Sequence, residues 1–95
     1  VSRAEWTFLS NHGHVLVSLA RDPDARTRDV AEVVGITERA VQQIVRDLVD
    51  QGYVRKEKVG RRNRYAVDRG AHFRHSLEAG LTIGEFLDLV VRDAS

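Results

Sequence analysis

The chain has no cysteine, no methionine and a single proline in 95 residues. Without cysteine there is no disulfide framework, no thiol nucleophile and no thiolate metal ligand. No apolar run approaches the roughly 20 residues that a bilayer requires, so no membrane partner is expected. No secretory or transit segment opens the chain, which makes a cytoplasmic location the expectation. With no methionine even at position 1, a native start upstream of Val1 is expected. The chain also lacks a glycine-rich phosphate loop and any serine in a nucleophile-elbow context. The carboxylates of Asp29, Glu32, Asp47 and Asp50 fall on the expected solvent faces of helices. No catalytic constellation is left, and an enzyme is not expected.

What is present suits one small globular domain, residues 1–95, with 42% hydrophobic and 31% charged residues and no internal repeat. The formal net charge of +1 is uninformative, but its distribution is not. Residues 53–67 hold Arg55, Lys56, Lys58, Arg61, Arg62 and Arg64 against Glu57 alone, a local charge of +5. Residues 76–95 hold Glu78, Glu85, Asp88 and Asp93 against Arg92, a local charge of −3. Such polarity suits a molecule that meets a polyanion with one face.

The most ordered stretch is 37–52, TERAVQQIVRDLVDQG. Val41, Ile44, Val45, Leu48 and Val49 give the i, i+3, i+4, i+7, i+8 stripe of a helix with one buried face. Thr37 stands at the N-cap, and Gly52 can take the left-handed conformation that closes a helix. The opposite face presents Glu38, Arg39, Gln42, Gln43 and Arg46. Arg and Gln are the side chains that bond base edges in pairs, Arg to guanine and Gln to adenine. A helix over 38–51 that enters a DNA major groove is the reading, with its first-turn N–H groups available to a phosphate. Glu38 is expected to complement the helix dipole rather than to touch a base.

In chain order, 12–21 reads as a helix with Val15, Leu16 and Leu19 inward, capped by Ser10 or Asn11 and ended at Asp22-Pro23-Asp24. A short helix over 28–34 follows, with Thr27 as its cap, Asp29 in its first turn and Val30, Ala31 and Val34 inward. Gly35 then permits a tight turn into the long helix. Two helices joined by about three residues containing a glycine form a helix-turn-helix. Residues 53–67 alternate as a β-hairpin around Gly60-Arg61-Arg62, which makes a cationic wing. Residues 68–81 show no clear period, with Phe73 and Leu77 as expected packing points. Such a long unassigned stretch is unusual in a compact domain. A last helix over 82–93 has Thr82 and Glu85 spaced for a capping box, and Ile83, Phe86, Leu87, Val90 and Val91 on a broad apolar stripe. Fold class is therefore mainly α, an α+β winged helix-turn-helix.

The order Ala31, Gly35, Val41, Ile44 resembles the helix-turn-helix pattern of bacterial repressors, taking Thr27 as its first position. Gly52-Tyr53 and the run Gly60 to Tyr65 are similar to the winged helix-turn-helix regulators of the MarR and ArsR type, over residues 12–67. The resemblance implies a homodimeric transcription regulator, a repressor and not an enzyme, bound to a pseudo-palindromic double-stranded operator. It also implies that the terminal helix helps form the dimer.

The expected DNA-facing residues are Thr37, Glu38, Arg39, Gln42, Gln43 and Arg46 on the helix, and Lys56, Lys58, Arg61, Arg62 and Arg64 on the wing, which would reach the flanking backbone or the minor groove. The expected dimer surface is Trp6, Phe8, Ile83, Phe86, Leu87 and Val90. Two alternatives stay open. A winged helix can serve as a protein-interaction module. His72 and His75, three apart and near Glu78, and the pair His12 and His14 could also belong to a metal-sensing regulator of the ArsR type. Neither pair has the spacing of a specific metal site, so no metal or other cofactor is expected. A small-molecule effector between residues 68–81 and the dimer surface is compatible with the sequence, with no residue that specifies it.

Overall fold

A computed structural model describes residues 7–91. The elements run α1 (Asn11–Arg21), α2 (Thr27–Val34), α3 (Glu38–Asp50), β1 (Val54–Val59), β2 (Arg62–Val67) and α4 (Ile83–Val90). This is the expected winged helix, with four helices and one antiparallel hairpin among the described residues.

Each boundary has a local cause. Ser10, not Asn11, caps α1: its hydroxyl accepts the Gly13 N–H. The expected Thr27 cap is displaced by one residue. Arg26 is the extended N-cap of α2 and Thr27 is its first helical residue. The Thr27 hydroxyl instead donates to Glu38 Oε2 at 2.7 Å, across the turn to the next helix. Gly35 is left-handed at φ 86°, and the N–H groups of Gly35 and Ile36 both close on the Ala31 carbonyl. A residue with a Cβ would be strained there. Thr37 caps α3 as expected, its Oγ1 accepting the Ala40 N–H at 3.0 Å. α3 ends through Gly52, at φ 81°, where the Tyr53 N–H reaches the Leu48 carbonyl at 2.9 Å.

Helices α1, α2 and α3 bury Val15, Leu16, Leu19, Val30, Ala31, Val41, Ile44, Val45 and Leu48 in one core. Each large aliphatic side chain removed from water contributes about 1.5–3 kcal/mol. The hairpin joins this core at its root. Val54 pairs with Val67, and Lys56 pairs with Tyr65. Val54 and Tyr65 are buried, while the outer positions of both strands are exposed. At the tip, Gly60 has φ 64° in the first position of a two-residue turn closed by Val59 and Arg62, where a type II′ hairpin favours glycine.

Residues 68–81 are ordered by a short return of the chain. The Asp68 N–H bonds to the Tyr53 carbonyl at 2.8 Å, and His72 bridges Thr82 in antiparallel fashion. Phe73 meets Phe86 edge-on, with ring centroids 5.3 Å apart. Leu77 does not pack as expected; it is 86% exposed.

The capping box of α4 is present in both halves, Thr82 and Glu85 each bonding the other's backbone N–H. The helix ends at Val90 rather than reaching 93; positions 92 and 93 lie outside the described residues. Two expectations for α4 are overturned. Ile83 and Leu87 are each 2% exposed and belong to the domain's own core, so they form no outer surface. The cause is close seating of the first turn: the Gly84 N–H bonds to the Arg69 carbonyl at 2.8 Å. A Cβ on Gly84 would lie 3.0 Å from that oxygen, so only glycine lets the helix come so near.

Candidate nucleic-acid interface

The outer face of α3 carries the groove-facing residues expected from sequence. Thr37, Glu38, Arg39, Gln42, Gln43 and Arg46 are all exposed, and the opposite face is buried against α1 and α2. The amphipathic stripe fixes this division, because Val41, Ile44, Val45 and Leu48 can be buried together in only one rotation of the helix.

The polar face is organised rather than uniform. Arg39 and Gln42 make no side-chain hydrogen bond or ion pair with other described residues. Glu38 accepts a hydrogen bond from the Thr27 hydroxyl. The Thr37 hydroxyl is occupied by the helix cap. Gln43 and Arg46 belong to a chain of contacts. Arg46 Nη2 donates to Gln43 Oε1 at 2.9 Å, and Gln43 Nε2 donates to Asp47 Oδ1 at 3.1 Å. The second Asp47 oxygen lies 2.8 Å from Nε2 of His12, on α1. A carboxylate only accepts, so that ring nitrogen carries the hydrogen. The bond from His12 and then that from Gln43 hold the Asp47 carboxyl below its ordinary carboxylate range. Asp47, expected on a bare solvent face, is thus half-exposed and doubly engaged. Its i+4 spacing from Gln43 is visible in the sequence; its contact with His12, 35 positions away, is not.

The wing projects Lys56, Lys58, Arg61, Arg62 and Arg64, all exposed. Two of these arginines are tied back. Arg62 Nη2 donates to the Asp24 carbonyl at 2.7 Å, and Arg64 Nε lies 3.7 Å from the Asp24 carboxylate. The Tyr65 N–H also donates to the Pro23 carbonyl at 3.0 Å. The loop after α1 therefore runs beside the wing and ties it to the segment that leads into α2. Lys56, Lys58 and Arg61 have no ion-pair partner among the described residues. A cleft between the wing and the start of α2 is lined by Arg26, Thr27, Arg61, Arg62 and Asn63, with the acidic Asp24 among them. Arg26 joins the cationic surface there, although sequence reading assigned it no role.

The histidines offer no assembled metal centre. His72 Nδ1 meets the Ala79 carbonyl at 2.8 Å, and His75 Nδ1 accepts the Leu77 N–H at 3.1 Å. Among the described residues no three His, Cys, Asp or Glu side chains converge. No helix among them is long and apolar enough to cross a membrane.

Of the residues expected from sequence at a contact between copies, Trp6 lies outside the described residues. Phe8 is exposed, Phe86 is half-buried under Phe73, and Val90 is half-buried. Leu89, which sequence reading passed over, is 67% exposed on α4.

Comparison with known proteins agrees with the geometry. Over 60 residues, 62% of the chain, it is 30% identical to an uncharacterized protein of Methanocaldococcus jannaschii, and this stretch spans only 13% of that protein's length. A family model described as MarR family matches residues 6–64, which include every residue assigned above to the DNA-facing surface. That match covers α1 through the outer half of β2, the helix-turn-helix and the wing together, and on it the chain belongs to the MarR family of winged-helix transcriptional regulators.

Proposed function

We propose that this chain is a sequence-specific DNA-binding transcriptional regulator, a repressor that acts as a homodimer. α3 reads base edges in the major groove through Arg39, Gln42, Gln43 and Arg46, and the wing holds the flanking backbone or minor groove through Lys56, Lys58 and Arg61. The observation that carries this reading is the pairing of an exposed Arg- and Gln-bearing helix face with a cationic wing braced beside it. Bases are discriminated by paired hydrogen bonds to their edges, and phosphates set register and affinity. Two-fold symmetry would set the two α3 helices about 34 Å apart, on successive major grooves of a pseudo-palindrome. The outer face of α4, with Leu89 and Val90, and the exposed Phe8 supply the contact between copies.

The test is selection of bound sequences from a random duplex pool, followed by affinity at several salt concentrations. Six phosphates neutralised would give a log–log slope of about −5. A slope near zero, with no sequence enriched, would assign the fold to protein interaction instead. Within an enriched site, Gln42→Ala should relax the choice of base at one position.

A further inference from the structure

Gln43 stands between a group that can only donate and a group that can only accept. Arg46 offers guanidinium N–H groups and has no acceptor, while the ionised Asp47 has acceptors and no donor. A carboxamide placed between them has a single satisfactory orientation, with Oε1 toward Arg46 and Nε2 toward Asp47. The reversed amide would set two donors face to face at one end and two acceptors at the other. Each end of Gln43 uses half its capacity in this arrangement. One N–H and one oxygen lone pair remain on an exposed side chain. That is the donor–acceptor couple that pairs with N7 and the N6 amino group of adenine.

Asp47 is fixed in turn from another helix. Its second oxygen is 2.8 Å from His12 of α1. A lone i, i+4 pair on a helix surface is weak and mobile. A contact from α1 converts it into a brace between two packed elements, because α1 and α3 share the core. We infer that Asp47, steadied by His12, is a positioning residue that presets the Gln43 amide for bidentate recognition of one base, adenine, before DNA arrives. This rests on the proposed reading of α3 as the base-contacting helix. Asp47 itself touches no base in this scheme. Its contribution lies in the order it imposes on Gln43, whose rotamer freedom would otherwise be lost on binding.

Two measurements test this, one of them without DNA. In the protein alone, the two Gln43 side-chain amide protons should be inequivalent beyond the usual spread of glutamines in the NMR spectrum. Asp47→Ala should collapse them into the ordinary range. On DNA, a double-mutant cycle combines Asp47→Ala with Gln43→Ala on the selected duplex and on a random one. The expected result is a loss of about tenfold for Asp47→Ala on the selected duplex only. That loss should disappear when Gln43 is already alanine, and the salt slope should not change. Asp47→Asn, which keeps an acceptor for Gln43, should recover part of the loss. Equal effects of Asp47→Ala with and without Gln43 would overturn the inference. So would tighter binding to both duplexes, the mark of a merely repulsive carboxylate removed. If the wild-type protein selects no sequence, the reading of α3 fails and the inference with it. An NMR spectrum in which Gln43 is ordinary would overturn the inference alone.

Discussion

Arg62 donates from Nη2 to the backbone carbonyl of Asp24, 2.7 Å away, so the wing is anchored to the loop that precedes α2. The contact joins a charged donor to a neutral acceptor, and it is flanked by the Tyr65 N–H on the Pro23 carbonyl. Its consequence is that the wing is held against the loop before α2 by contacts within the domain.

This separates two arginines that are adjacent in sequence. Arg61, at the hairpin tip, has no side-chain hydrogen-bond or ion-pair partner among the described residues, and on the proposed reading it meets phosphate. Arg61→Ala should weaken selected and random duplexes alike and reduce the magnitude of the salt slope by about 0.9, one phosphate's worth. Arg62→Ala should also weaken both duplexes, through a loosened wing, while leaving the slope unchanged. Titrations by fluorescence anisotropy over a range of salt concentrations would distinguish them. An equal loss of slope in both variants would make Arg62 a phosphate ligand and its contact with Asp24 incidental.

The terminal helix divides in the same way between inner and outer residues. Leu87 is 2% exposed and Leu89 is 67% exposed, although both belong to one apolar helix. Leu87→Ala should cost about 2–5 kcal/mol in urea unfolding, the range for a large core side chain truncated without relaxation. Leu89→Glu should leave a cooperative unfolding transition but shift sedimentation equilibrium toward the monomer mass. Unchanged sedimentation in Leu89→Glu would remove the outer face of α4 from the proposed dimer contact.

The parts of the fold set by local chemistry were legible in the sequence. The α3 stripe, its Thr37 cap, the Gly35 turn and the Thr82–Glu85 box all act within a few residues, and each lies where spacing placed it. The parts set by distant contacts were not. Ile83 and Leu87 resemble an interface stripe as much as a core stripe until Gly84 is seen against the Arg69 carbonyl. Thr27 satisfies the preference for a cap, yet Glu38 draws its hydroxyl across the turn and the helix starts one residue earlier than the cap rule implies. His12 gave no signal for its bond with Asp47, because the packing of α1 and α3 on the core is what brings two residues 35 positions apart together.

The α4 capping box gives the fold an acid-sensitive point. Glu85 Oε1 accepts the Thr82 N–H at 2.9 Å and the Thr82 hydroxyl at 3.0 Å. The backbone bond first, and the side-chain bond second, hold its carboxyl below the ordinary 4.5. A carboxylate whose pKa is depressed on folding stabilises the fold fully above its unfolded pKa. That contribution is lost as pH falls through the lower, folded value. The window therefore lies below about pH 4.5, and neutral conditions are unaffected. NMR titration of the Glu85 carboxyl should give a midpoint under the ordinary value, and Thr82→Ala should raise it toward that value. Hydrogen exchange in the same window should show the first turn of α4 opening before α1 or α3, since the core side chains of Ile83 and Leu87 are held in place through that turn. A Glu85 midpoint unmoved by Thr82→Ala would show that the depression has another source, and the link between acid and the seating of α4 would be lost with it.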